Sequence, residues 1–211
     1  MENYPETATE RFDKANLHIK YCLSTIRKFI NGDVLEIGAG CGSFTRNYFK
    51  TEVKSITLTE TDQKNILSLK KNFQNLKNIK VLDSTINKVE GKFDSILYFH
   101  VLEHIKDDLR ELQEIEKKLN EGGHLVIMVP RHQKLYSTFD KSIGHFRRYE
   151  LGFFKNNLFN LNRQLLKSLD SFGYLLYFLN KLFFKNEKFP SKLKIFVWDK
   201  IFTPFSILID F

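Results

Sequence analysis

The densest chemistry in this sequence lies in VLEIGAGCG, residues 34–42, where Gly38, Gly40 and Gly42 alternate behind an apolar run that carries Glu36. Bare backbone of this kind makes a tight strand-to-helix turn and lets a ligand come close. A dinucleotide fingerprint would need its third glycine one residue later, where Ser43 stands, and no Gly-Lys-Ser/Thr follows to make a P-loop. Glu36 would also repel a phosphate. A cationic or zwitterionic nucleoside suits the loop better, and S-adenosylmethionine, with a sulfonium, an ammonium and a ribose but no phosphate, is such a ligand. Glu36, Gly38, Gly40 and Gly42 are therefore candidate contacts. Glu60, in LTETD, lies about 20 residues further on, where doubly wound proteins place an acid on the ribose hydroxyls. Asp83, with the backbone amide of Ser84 beside it, is the candidate for the adenine edge.

A second constellation, LYSTFDKSIGHFRRYE at residues 135–150, brings together Asp140, His145, Arg147, Arg148 and Tyr149. An acid, an imidazole and two guanidinium groups suit an acceptor bearing a sugar, a carboxylate or a phosphate. The competing reading is an internal ion pair between Asp140 and an arginine that folds the loop, and the residues leave both open. Displacement of a methyl group from a sulfonium needs alignment and exclusion of water. A hydroxyl acceptor also needs a base, for which His145 is the first candidate and His104 the second.

His100-Val-Leu-Glu103-His104 matches H-x-x-E-H, a zinc-hydrolase signature that needs both histidines on one helix. Residues 93–99 read as a strand, which leaves His100 at a strand end, so no metal site is assigned. Glu103 and His104 are expected to tie the following loop to neighbouring backbone, with contact to the cofactor left open.

The elements that must hold these groups are short. Apolar or β-branched runs at Val34–Ile37, Ser55–Leu58, Ile79–Leu82, Phe93–Tyr98 and Leu125–Val129 read as strands buried on both faces. Helical spacing lies between them, at Ile66, Leu69, Phe73 and Leu76, and again at Leu109, Leu112, Ile115 and Leu119. An earlier amphipathic helix runs from Leu17 to Ile30 and stops at Asn31-Gly32. Gly122-Gly123 is expected to end the helix that begins at Asp107-Asp108. Strands alternating with helices imply an α/β, doubly wound, mostly parallel Rossmann-like sheet with helices on both faces. Ligands in such sheets bind beyond the carboxyl ends of the strands, where the glycine turn lies.

The chain has 211 residues, and its 33 basic against 25 acidic groups give a formal charge of +8, which admits anionic partners without choosing among them. Two cysteines are too few for a disulfide framework, and MENYPETATERFDK lacks the pattern of a signal peptide, so a cytoplasmic location is expected. No stretch approaches the roughly 18 apolar residues of a membrane span.

Together VLEIGAGCG, TETD, Asp83, FDSILYFHVLEHIKDD and LNEGGHLVIMVP make the segment from Val34 to Pro130 resemble a class I S-adenosylmethionine-dependent methyltransferase. The resemblance extends to Asn16 and to the GHFRRY loop, as in a bacterial and archaeal subgroup sometimes joined to glycosyltransferases. It implies that Gly38, Gly40, Glu60 and Asp83 touch the cofactor, with Phe99 near its adenine or methionine portion. Related sequences commonly carry asparagine where His100 stands, and the antiparallel seventh strand of the fold has no clear counterpart here.

Three parts are expected: an N-terminal helical segment at 1–32, a cofactor-binding core at 33–150 and a Phe-rich, basic elaboration at 151–211. That tail either packs as core or interface, the commoner outcome, or lies on the inner face of a membrane with Trp198 at headgroup depth. The function expected is methylation of an oxygen on a small molecule or lipid-linked saccharide. Nucleic-acid methylation is disfavoured, because YFHV stands where base methyltransferases show an Asn/Asp-Pro-Pro-aromatic run. A zinc hydrolase built on His100, Glu103 and His104, and a non-catalytic cofactor-binding or membrane-surface module, are the alternatives.

Overall fold

A computed structural model describes residues 12, 14–50, 52–157, 160–183 and 191–210, with the side chains of 179–183 outside that description. Most of the N-terminal stretch read for a leader lies outside the described residues, as do Phe159, Phe184, Phe189 and Phe211 of the aromatic tail. Two compact units form: Leu23–Val129, and Met1–Cys22 with Pro130–Phe211. Residues 130–150, taken above with the core, group with the tail. Helix α1 (Asn16–Ile26) crosses the boundary in sequence.

Within Leu23–Val129 the apolar runs form five strands: β1 (Gly32–Ile37), β2 (Val53–Glu60), β3 (Ile79–Asp83), β4 (Phe93–Phe99) and β5 (Leu119–Met128). Their order is β3-β2-β1-β4-β5 and every pairing is parallel, so no antiparallel strand joins the sheet among the described residues. Val34, Leu35, Ile56, Leu58, Ile96 and Leu97 have almost no exposed surface, as expected of strands covered on both faces.

Three helices of this unit follow strands: α2 (Thr45–Tyr48), α3 (Gln63–Phe73) and α4 (Asp108–Lys118). Asp62 caps α3 by accepting from the Asn65 amide, and the buried stripe Ile66, Leu69 and Phe73 turns it to the core. In α4, Leu112 and Ile115 are buried, and the Tyr98 hydroxyl donates to Glu111 at 2.7 Å, fastening strand to helix. This helix passes directly into β5 at Leu119. The expected glycine stop is therefore corrected: Gly122-Gly123 lies inside β5, and a Cβ on Gly123 would stand 3.0 Å from the Asp94 carbonyl. At the amino edge of the sheet the Asp94 carboxylate accepts from the Asp33 amide and the Asn120 side chain, joining β1, β4 and β5.

The other unit adds α5 (Thr138–Ser142), α6 (Leu151–Asn157) and α7 (Ser171–Phe183). A further helical stretch runs through α8 (Lys192–Val197), a π-helical segment at Trp198–Phe202, and α9 (Thr203–Asp210). Trp198 is engaged within the unit. Its indole N–H donates to Asp170 at 2.8 Å and its ring lies 4.4 Å from that of His18.

Glu36, one residue from the carboxyl end of β1, has 2% of its surface exposed and accepts from the hydroxyls of Thr45 (2.7 Å) and Tyr48. The carboxylate thus pins α2 to the strand beneath it. Burial pushes its pKa up to about 7, and the two hydroxyl bonds offset only part of that. The folded state holds this proton more tightly than the unfolded chain does. The group's contribution to stability is therefore complete below about pH 4.5 and is lost as the pH rises through about 7. Glu36→Gln removes the titration. Between about pH 5 and about pH 8 its stability should gain on the wild type by about 2–3 kcal/mol, read by urea denaturation at both pH values.

Candidate active site

The order of the sheet reverses between β1 and β4, which opens a crevice at their carboxyl ends. The turn Gly38–Gly42 lies there. Gly38 and Gly42 have φ of +63° and +86°, and a Cβ at either would strike a neighbour, Val101 at 2.7 Å or the Phe73 ring at 2.6 Å. Both glycines are thus required by packing as well as by backbone conformation. Gly40 instead donates its amide to Glu60 Oε2 at 2.8 Å, which draws the turn to the end of β2.

Glu60 Oε1 accepts from the amides of Thr61 (2.7 Å) and Asp62 (3.0 Å). Three of the roughly four acceptor positions of this carboxylate are filled by backbone. One remains, on Oε2, for a hydroxyl. Asp83 is the register partner of Glu60 across β2 and β3, is exposed, and accepts from the Gln63 side chain at 2.6 Å. Two carboxylates side by side at the sheet edge favour a cationic or hydroxyl-rich ligand over an anion. The Ser84 amide, expected to face the adenine, donates to the Glu60 carbonyl at 3.2 Å. Phe99 closes the end of β4, stacked on Phe44 with centroids 4.3 Å apart. Bare backbone, a carboxylate with one open acceptor position and an aromatic pair fit S-adenosylmethionine.

Beside Phe99, His100 adopts φ +57°, a left-handed conformation unusual for a side-chain-bearing residue, held by its amide bond to the Met128 carbonyl. Leu102–His104 forms a single 3₁₀ turn in which the His104 amide donates to Val101. His100 and His104 therefore do not share a helix, and the geometry required of the zinc-hydrolase motif is not formed. Glu103 is fully buried with its carboxylate 3.6 Å from His100 Nδ1.

In the other unit, Asp140 is the node of the GHFRRY loop. Its Oδ1 accepts from His145 Nδ1 and Arg148 Nε, both at 2.9 Å. Its Oδ2 accepts from the Ser137 amide (2.9 Å), the Tyr177 hydroxyl (2.8 Å) and Arg148 Nη2 (3.1 Å). Burial would raise the Asp140 pKa, but the bonds from His145 and Arg148 outweigh it and hold the carboxyl far below the usual range. The Arg148 guanidinium also lies 4.1 Å over the Tyr177 ring, and burial raises the Tyr177 hydroxyl to about 12. The internal ion pair is thus formed. Asp140 has no exposed surface and Tyr149 is buried against Phe153 and Phe154, which corrects the expectation that these two meet an acceptor. Arg147 is half-buried.

Ser137 was legible as the start of a capping box with Asp140 three residues on. Phe44, Thr45, Tyr48 and Tyr177 carried no signal in the sequence, since each contact is made across a turn or by a distant helix. Asp140→Ala should strip Arg148 and His145 of their partner and cost about 3–5 kcal/mol, measured by chemical denaturation.

A family model described as a methyltransferase domain matches residues 9–174. Among solved structures, the N-methyltransferase NodS from Bradyrhizobium japonicum WM9, bound to S-adenosyl-L-homocysteine, aligns at TM-score 0.59 and 18% identity, over 80% of this chain and 81% of that one. Coclaurine N-methyltransferase bound to N-methylheliamine and S-adenosyl-L-homocysteine aligns at 0.56 and 18%, over 78% of this chain and 54% of that one. YcgJ from Bacillus subtilis aligns at 0.55 and 18%, over 66% and 65%, so the chain spans less than two thirds of the length of that structure. No curated protein matches the sequence. With most of its length matched by that family and a five-stranded parallel sheet of the same fold, the chain belongs to the methyltransferase-domain family and has the class I fold of S-adenosylmethionine-dependent methyltransferases.

Proposed function

We propose that this methyltransferase moves the methyl group of S-adenosylmethionine to an oxygen of a small molecule or lipid-linked saccharide. The observation that carries the reading is the hydrogen bond from His145 Nδ1 to the buried Asp140. A carboxylate on Nδ1 fixes the imidazole tautomer, so that Nε2 is the basic nitrogen, the arrangement that serves a hydroxyl proton acceptor. The bound donor supplies an electrophilic methyl and a neutral thioether leaving group.

The chain's own residues bind, orient and take a proton. Glu60 Oε2 would hold the cofactor by accepting a ribose hydroxyl. Asp83 meets the adenine edge, Phe99 and Phe44 shield the apolar part of the ligand, and Gly38–Gly42 form the turn beneath it. Glu36 acts at one remove, by positioning the turn through Thr45 and Tyr48. On the acceptor side, His145 takes the hydroxyl proton as the new carbon–oxygen bond forms, while Asp140 balances the imidazolium. His104 is the second candidate for that base. Arg147 meets a carboxylate or phosphate of the acceptor, and Arg148 serves the loop through Asp140. Methylation of a small-molecule amine is the second reading, favoured by the two N-methyltransferases of like fold, though at 18% identity the likeness is one of architecture. No helix among the described residues is long and apolar enough to cross a membrane, so a lipid-linked acceptor would be reached from the membrane surface.

Glu60→Ala should weaken S-adenosylhomocysteine binding by about 1.5–3 kcal/mol through loss of charge-assisted hydrogen bonds, and an unchanged calorimetric titration would reject the assignment. His145→Ala should slow turnover of a hydroxyl acceptor by about 10²–10⁴-fold while cofactor affinity stays the same. A full rate in that variant removes His145 as the base.

A further inference from the structure

The stretch from α8 through α9 is inside out. Along it the residues that face inward are Ile195, Asp199, Thr203 and Ser206, all buried and three of them polar. Leu193, Phe196, Ile201, Phe205, Leu208 and Ile209 face outward with 49–78% of their surface exposed. A helix on a water-facing surface does the reverse.

The inward polar face is fully engaged, which fixes the rotation of the helix. Asp199 accepts from the His18 amide at 2.8 Å, and Thr203 donates to the Trp198 carbonyl at 3.1 Å. Ser206 donates to Asp170 at 2.8 Å while accepting from the Phe172 amide, and Asp210 accepts from the Tyr21 hydroxyl at 2.6 Å. Turning the apolar side inward would break the bonds of Asp199, Ser206 and Asp210 to residues outside the stretch and strand the buried Asp199 carboxylate. The exposed apolar face is therefore a built feature, and its size exceeds the scattered single residues normal on a surface.

The charges around it select the occupant. Both acids of the stretch, Asp199 and Asp210, are bound within the unit, Lys200 reaches Asp199 at 2.8 Å, and Lys192 and Lys194 are exposed. Lys192 and Lys194 stand in the first turn of α8, where the helix dipole disfavours a cation. A second copy of this chain would set lysines against lysines with no exposed acid on the helix to meet them. An anionic bilayer surface offers both an apolar layer for the aromatic and aliphatic side chains and phosphates for the lysines.

We infer that residues 192–210 form a membrane-docking helix that lies in the plane of an anionic bilayer, with Phe196, Phe205 and Leu208 in the acyl boundary and the lysines among the headgroups. The helix deepens the proposal of a lipid-linked acceptor and rests on that reading for its purpose, though its geometry stands apart from it.

The test is co-sedimentation of the full chain with extruded phosphatidylcholine vesicles, with and without about a third phosphatidylglycerol, beside calorimetry with S-adenosylhomocysteine. Wild type should bind the anionic vesicles and bind them less at high salt. Leu208→Glu and Phe205→Glu, both at exposed positions, should each weaken vesicle binding at least about tenfold with the circular dichroism melt unchanged. Lys192→Gln with Lys194→Gln should reduce only the salt-sensitive part. Wild type that ignores the vesicles, or glutamate variants that bind as well as wild type, would overturn the proposal. So would a wild-type dimer in sedimentation velocity that Leu208→Glu dissociates, since the face would then belong to a second copy. Vesicle binding without S-adenosylhomocysteine binding would sink the methyl-transfer reading and leave the docking helix standing, and the converse would do the opposite.

Discussion

Everything at the nucleotide end of the sheet depends on a turn that tolerates almost no side chains. Gly42 lies against the Phe73 ring and Gly38 against Val101, so the backbone between them is pressed from both sides. Two carboxylates hold it in place by different means. Glu60 pulls on the Gly40 amide from the end of β2, and Glu36 secures the helix that follows by way of Thr45 and Tyr48. One acid is in contact with the turn and open to a ligand, whereas the other is sealed in the core. The same residue type in neighbouring parallel strands thus takes two structural roles, one bonded to the backbone of the turn and one sealed beneath the helix that follows it.

The second unit follows the same logic around a single carboxylate. Asp140 draws together a histidine, an arginine, a helix cap and a tyrosine, satisfying a buried charge with six hydrogen bonds. A buried acid of this kind is stable only with its partners present, which makes the loop around it a rigid frame. Arg148 contributes both a forked pair of N–H donors and a flat face over Tyr177, and lysine has neither.

The strands were legible because short, mainly apolar or β-branched runs of four to six residues have little alternative in a buried parallel sheet. The start of β5 was not, since the chain passes from α4 into the strand at Leu119 and Gly122-Gly123 looks like a helix exit. Spacing pointed to Glu60 and Asp83 but could not reveal that three backbone amides already occupy Glu60. The tail resisted reading for a deeper reason. A helix that hides Asp199, Thr203 and Ser206 and shows Phe196 and Leu208 inverts the rule by which hydrophobic pattern is turned into an inward face. The sequence left Trp198 open between packing and a membrane surface, because its partner Asp170 lies 28 residues away.

The bond between Tyr177 and Asp140 joins residues 37 apart, long after the last strand has ended. A polypeptide still emerging from the ribosome can complete its five-stranded sheet before the tyrosine that locks the loop has been synthesised. The order of synthesis therefore puts the strands of the sheet ahead of the tyrosine that closes the Asp140 loop.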